Sequence, residues 1–224
     1  MSQHRNSSAG KRRLAGGMLL GAAASGALAI GALGSAGTAE ATCASVSGIN
    51  NGGGCTTTAG PNVAVGIGAD TTATAAGFGN LAVAVGTKAN AQAVGTGNLA
   101  IAAGNPANNS VLGPNTPTTA VAAGSFNRAV AIGNGSTAVA AGGGLIPTLA
   151  NPGNNTAFTF GDGSNTQVTG NNSVATVVGN ESNAVAQGGN FNLAAALGNK
   201  STAVAGPGDG KVAISGPGET STNP

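Results

Sequence analysis

The sequence predicts an all-β chain: a parallel β-solenoid, or β-roll, of nine-residue strand-plus-turn units, two to each 18-residue coil. Three observations carry this reading. Glycines recur every nine residues, at 68, 77, 86, 95, 104 and 113, again at 124, 133 and 142, at 161, 170, 179 and 188, and then, with one extra residue, at 198. Between them run short alternations of large and small apolar residues, such as Asn80-Leu-Ala-Val-Ala-Val85 and Arg128-Ala-Val-Ala-Ile132, which is a strand pattern. The composition then removes the rival classes. Val, Ile, Leu and Phe make up fewer than one residue in five, and 6% of the 224 residues are charged. A single globular core uses more large side chains, and charge-driven disorder needs more charge.

The chain opens with a segment of different character. Arg5, Lys11, Arg12 and Arg13 precede an uncharged stretch from Leu14 to Ala39, and Ala39-Glu40-Ala41 supplies small residues where a signal peptidase reads. A basic start, an apolar middle and an A-x-A site predict an export signal over residues 1–41, cleaved between Ala41 and Thr42. An uncleaved membrane anchor is the competing reading, because about 20 apolar residues are enough to span a bilayer. The many Gly and Ser residues of the stretch argue against it. Arg12-Arg13 leaves Sec and twin-arginine export both open.

Residues 42–58 hold both cysteines. Cys43 and Cys55 bracket a glycine-bearing segment, and an exported chain meets an oxidising compartment, so a disulfide capping the first coil is expected. Residues 59–206 form the repeat domain. Asn62, Asn80 and Asn98 lie eighteen apart, and Val65, Val83 and Ile101 alternate with Thr74, Gln92 and Ser110 on the intervening strands. Two unlike strands per coil imply two sheets and a rod roughly 40 Å long, at about 4.8 Å per coil.

Within each strand the larger residues, such as Val83 and Val85, Val130 and Ile132, or Phe158 and Phe160, share one face. Ala82, Ala84, Ala129, Ala131, Ala138 and Ala140 share the other. Burying the large side predicts an outward alanine sheet, a candidate association face that charge does not defend. The segments Pro114–Pro117 and Gly142–Asn155 read as loops extruded from the rod. Residues 207–224, rich in Gly, Pro, Ser and Thr, read as a flexible tail.

The chemistry of the repeat domain is sparse. After residue 41 the charges are Lys88, Arg128, Lys200 and Lys211 against Asp70, Asp162, Glu181, Asp209 and Glu219, and His4 lies in the leader. Four scattered cations cannot neutralise a phosphate backbone, so no nucleic-acid partner is expected. With no His and no paired carboxylates, acid–base catalysis lacks convergent groups; neither enzyme activity nor a cofactor is expected. A calcium roll shares the nine-residue period but needs an Asp in nearly every repeat, whereas Asp162 and Asp209 sit in isolated Gly-Asp-Gly turns. Thr72-Ala-Thr74 hints at an ice-binding face, but the expected equivalents Asn90 and Gln92, then Asn108 and Ser110, break the pattern.

The segments NLAVAVG, RAVAIGNGSTAVAAG and SNAVAQGGN resemble the head repeats of trimeric autotransporter adhesins, units of the form SVAIG-x-x-S-x-A-x-A-x-G. The likeness runs from Gly60 to about Gly206. It implies a surface-exposed β-roll, with a trimer as the assembly that family forms. The period here is nine or eighteen rather than about fourteen, and neither a heptad stalk nor a C-terminal barrel anchor follows. The whole chain, with its Ala/Gly-rich leader and TCAS start, is also similar to small exported repeat proteins of mycobacteria and related actinobacteria. The resulting expectation is a secreted or cell-surface, non-enzymatic structural or adhesin-like protein. It would form homo-oligomers or meet a host or other surface through its repetitive faces, with no membrane span after cleavage. The alternative is a module that binds carbohydrate, calcium or ice on such a face.

Overall fold

A computed structural model of the chain describes residues 42–51, 53–104, 116–142 and 153–224. The expected export signal, its Ala41 boundary, Asn108, Ser110 and most of the two expected loops lie outside them. Among the described residues every regular element is a strand, and from β2 onward the strands alternate between two sheets. The first sheet contains β1 (Thr42–Val46), β2 (Ile49–Asn51), β4 (Val63–Ile67), β6 (Leu81–Gly86), β8 (Leu99–Gly104) and β10 (Arg128–Ile132). It continues through β12 (Thr156–Phe160), β14 (Val174–Val178), β16 (Leu193–Leu197) and β18 (Val212–Ser215). The second contains β3 (Cys55–Thr57), β5 (Thr72–Phe78), β7 (Ala89–Thr96), β9 (Thr118–Ser125) and β11 (Thr137–Gly142). It ends with β13 (Asn165–Thr169), β15 (Asn183–Ala186), β17 (Thr202–Ala205) and β19 (Thr220–Asn223).

From β3 onward each strand pairs in parallel with the strand two places along, so one coil contributes one strand to each sheet. This is a parallel β-solenoid with two sheets. The start of the chain departs from the pattern: β1 lies antiparallel to both β2 and β4 and covers the end of the first sheet. Cys43 on β1 and Cys55 on β3 form a disulfide, with 5.4 Å between their Cα atoms. Both are buried, and a Cβ added at Gly66 would sit 2.6 Å from the Cys43 sulfur, so the disulfide fills the core of the first coil. Closing a loop this short contributes roughly 2–3 kcal/mol by restricting the unfolded chain.

The corners explain both the glycine and the asparagine periods. Gly68, Gly86, Gly104, Gly133, Gly161, Gly179 and Gly198 stack at one corner. Gly77, Gly95, Gly124, Gly142, Gly170, Gly189 and Gly208 stack at the other, with Gly189 rather than Gly188 taking the place. At Gly86 the backbone has φ +109°, and a Cβ would lie 1.5 Å from the carbonyl oxygen of Gly104. No side chain fits there.

Beside the second glycine row runs a buried polar ladder. Asn80 Nδ2 donates to the carbonyls of Ala76 and Gly95, both at 2.8 Å, while its Oδ1 accepts from the backbone and side-chain nitrogens of Asn98. The successive steps are 18 residues from Asn62 to Asn80 and from Asn80 to Asn98, 29 to Asn127 and 28 to Asn155. They return to 18 at Ser173 and 19 at Asn192. The opposite corner uses hydroxyls: Ser164 and Ser182 donate to the carbonyls of Gly179 and Gly198 and accept from the next coil's backbone. These side chains satisfy backbone groups that the turns leave unpaired, which buried polar groups require.

The long steps correct the expected register. Asn90 and Gln92 on β7 pair with Thr119 and Val121 on β9, not with residues 108 and 110. Another expectation fails at the end of the chain. Residues 207–224 do not fray; β18 and β19 pair in parallel with β16 and β17 and complete the last coil.

The largest correction concerns the faces. Ala82, Ala84, Ala129, Ala131, Ala138 and Ala140 are fully buried, as are Ala91, Ala93, Ala100, Ala102, Ala120 and Ala122. The alanines form the core, and the larger residues of the same strands point outward. The reason is the length of the corners. Only Thr87 and Lys88 separate β6 from β7, and so short a turn leaves the inner faces of the two sheets room for methyl groups. One stretch is wider: Thr159, Thr166, Val168 and Val177 enter the core, and the two threonine hydroxyls bond to each other at 2.7 Å.

Candidate functional site: two unlike sheet faces

Outward residues stand in columns because the pairing is in register. On the first sheet the central column runs Val65, Val83, Ile101, Val130, Phe158, Thr176, Ala195 and Ile214. To one side of it stand Val63, Leu81, Leu99, Arg128, Thr156, Val174, Leu193 and Val212; to the other, Ile67, Val85, Ala103, Ile132, Phe160, Val178 and Leu197. Arg128 is the single charge in these columns. Neighbours in a column shelter one another, so Val83 and Val130 are half-buried, whereas Phe160 is 52% and Ile214 56% exposed.

The second sheet differs. One outward column reads Thr72, Asn90, Thr119, Thr137, Asn165, Asn183, Thr202 and Thr220. The next reads Thr56, Thr74, Gln92, Val121, Val139, Gln167, Val185, Val204 and Thr222. Polar side chains bond along these columns: the hydroxyls of Thr56 and Thr74 are 3.1 Å apart, and Asn165 Nδ2 donates to Asn183 Oδ1 at 3.2 Å. The face carries no charge, and valines share its second column with Thr and Gln.

All five phenylalanines lie outside the core. Phe78, Phe126, Phe160 and Phe191 are exposed and Phe158 is half-buried. Phe126 and Phe191 also adopt positive φ, 55° and 59°, at a corner where Gly79, Gly97, Asn154 and Asn172 occupy the same place in other coils. A bulky residue in the left-handed region costs about 1–2 kcal/mol. Placing aromatics there, exposed, spends stability without filling the core.

The charged groups do structural work at the corners. Asp162 Oδ1 accepts from the backbone of Asn134, and Asp209 Oδ1 from the backbone and side chain of Asn190, continuing outer ladders of the same kind as the buried one. Lys200 and Glu181 form one exposed ion pair at 3.8 Å, an arrangement worth little in water. Among the described residues no three acidic, Cys or His side chains converge on a point where a metal could sit, and no helix is long and apolar enough to cross a membrane.

The alanines read as an association face are therefore inside, and the columns now exposed are those expected to be buried. The pattern of variation carries the signal: alanine recurs at most inward positions of the repeat, while the outward positions vary between Val, Thr, Gln and Phe. An inner face fixed by tight geometry is the uniform one. In comparisons with known proteins, no family model, no curated protein and no solved structure matches the chain.

Proposed function

We infer that the chain is an exported, non-enzymatic repeat protein with a structural or adhesin-like role at the cell surface or in the medium, acting through the outer face of its second sheet. The observation that carries this reading is the in-register Thr/Asn/Gln/Val surface, which offers the same weak contacts coil after coil at a spacing of about 4.8 Å. Such a surface suits an extended partner better than a small substrate. The buried Cys43–Cys55 disulfide is compatible with an oxidising, extracellular setting. Fractionation of expressing cells, with protease treatment of intact cells, tests it. Protein removed from the cell surface or recovered from the medium supports the reading; protein retained in the cytoplasm overturns it.

The threonine column favours a second reading, in which the same face binds carbohydrate or ice. A melting temperature raised by a soluble glycan, or inhibition of ice recrystallisation, would favour this module over the structural role.

A further inference from the structure

We propose that two copies of the chain pack face to face through the outer surface of the first sheet, leaving the two second-sheet faces on opposite sides of a plate. The pairing goes beyond the functional reading and does not depend on export or adhesion. Its basis is the reversal of side-chain size. The fold puts alanine inside and sets most of the outward Val, Ile, Leu and Phe on the first sheet, in three neighbouring columns, while the second sheet carries mainly valines in one of its columns.

The area decides whether a partner is needed. Eight parallel strands, each about five residues long, cover on the order of 40 Å by 17 Å, or roughly 600 Å² or more per copy. That is at the upper end of what monomers leave exposed, about 300–600 Å². Two such faces together bury more than about 1,200 Å², enough for a stable specific interface. Flat sheets also pack on flat sheets readily, with strands within about 30° of parallel.

The relief is self-complementary. In the column Val85, Ala103, Ile132, Phe160, the small Ala103 leaves a notch between Val85 and Ile132, a depression of about 510 Å³ with Gly86 and Gly133 in its walls. Phe160 is the knob, on β12. Strands β8 and β12 flank β10 on opposite sides, so a two-fold axis along β10 sets the Phe160 of each copy over the Ala103 of the other. The charges favour a second copy over a lipid surface. Binding to anionic membranes draws on clustered Lys and Arg, and Arg128 is the lone cation in these columns.

Sedimentation velocity of protein purified from cells expressing the full chain tests the pairing. A dimer is expected at micromolar concentration, and Val130→Glu should weaken it by roughly a hundredfold or more, because each substitution enters an isologous interface twice. Its circular dichroism should stay that of the parent. Val121→Glu, on the second sheet, should leave the dimer intact. Phe160→Ala, which adds no charge, should weaken the dimer without unfolding the chain. A monomer at every concentration overturns the proposal, whether the face then floats with phosphatidylcholine vesicles or is covered by the chain's own residues 1–41. A dimer indifferent to Val130→Glu and Phe160→Ala but broken by Val121→Glu overturns it too.

Discussion

The two sheets have interchangeable insides and unlike outsides. Ala82 and Ala84 on β6 face the core as Ala91 and Ala93 do on β7, all fully buried. Outside, β6 presents Leu81, Val83 and Val85, whereas β7 presents Asn90, Gln92 and Val94. The interior is dictated by the short corners, which admit little beyond a methyl group, so both sheets reach the same solution. The exterior is under no such constraint. The fold does not require the difference found there, which persists over eight coils.

The largest expected effect comes from breaking the shared interior. Ala131→Glu in the first sheet and Ala140→Glu in the second should both abolish folding. Each places an unpaired carboxylate among buried methyl groups, a penalty of several kcal/mol. Val130→Glu and Val139→Glu, one residue away on the outer faces, should each change monomer stability by no more than about 1 kcal/mol. Circular dichroism melts separate the pairs. Equal unfolding by all four variants would show that inside and outside have been assigned wrongly.

A corner glycine comes next. Gly86→Ala must move the Gly104 carbonyl and hold a positive φ, and should cost at least about 3 kcal/mol in urea melts. Gly210→Ala has no atom within 4 Å of the new methyl, so it should cost about 1–2 kcal/mol, from its φ of +66° alone. The two positions would then differ in tolerance according to how closely a neighbouring coil approaches each.

The architecture was legible in the sequence because its causes are periodic. Glycine every nine residues marks the corners, alternation marks the strands, and Cys43 and Cys55 announce their own bond. Three things were not legible. The direction of each strand face was misread, because burial of the larger side chain is a sound rule only where the layers have room for it. Asn62, Asn80 and Asn98 stood out as a period, but a period alone does not show that the side chains form a buried ladder; an asparagine held in one phase through most coils is the available signal. The register past Gly104 was hidden by residues 105–115, after which Thr119 takes the place assigned to Asn108. The terminal Gly and Pro residues concealed β18 and β19, since composition alone cannot show that an edge strand lies beside them.

The asparagine ladder supplies a test of intermediate size. Asn98→Ala leaves the carbonyl of Gly124 and the backbone nitrogen of Asn127 without partners in a buried corner, and should cost about 2–4 kcal/mol. Asn165→Ala removes one exposed bond to Asn183 and should stay within about 0.5 kcal/mol. Thermal melts of the two variants compare the same residue type used as a buried strut and as a surface group. Similar losses would mean that the ladder contributes no more than the outer columns do.

The smallest effect sharpens the comparison of the outer faces. Val83→Thr and Val139→Thr make the same exchange at matching central positions, both half-buried in the single chain. As monomers the two variants should melt within about 0.5 kcal/mol of the parent and of each other. At concentrations where the chains pair, Val83→Thr should lose about 1 kcal/mol more than Val139→Thr, because its hydroxyl is then removed from water without a partner. Melts recorded over a range of protein concentrations read this out as a gap between the variants that widens as concentration rises. A gap that stays constant would mean that both outer faces remain in water, and that the apolar columns of the first sheet have no role in association.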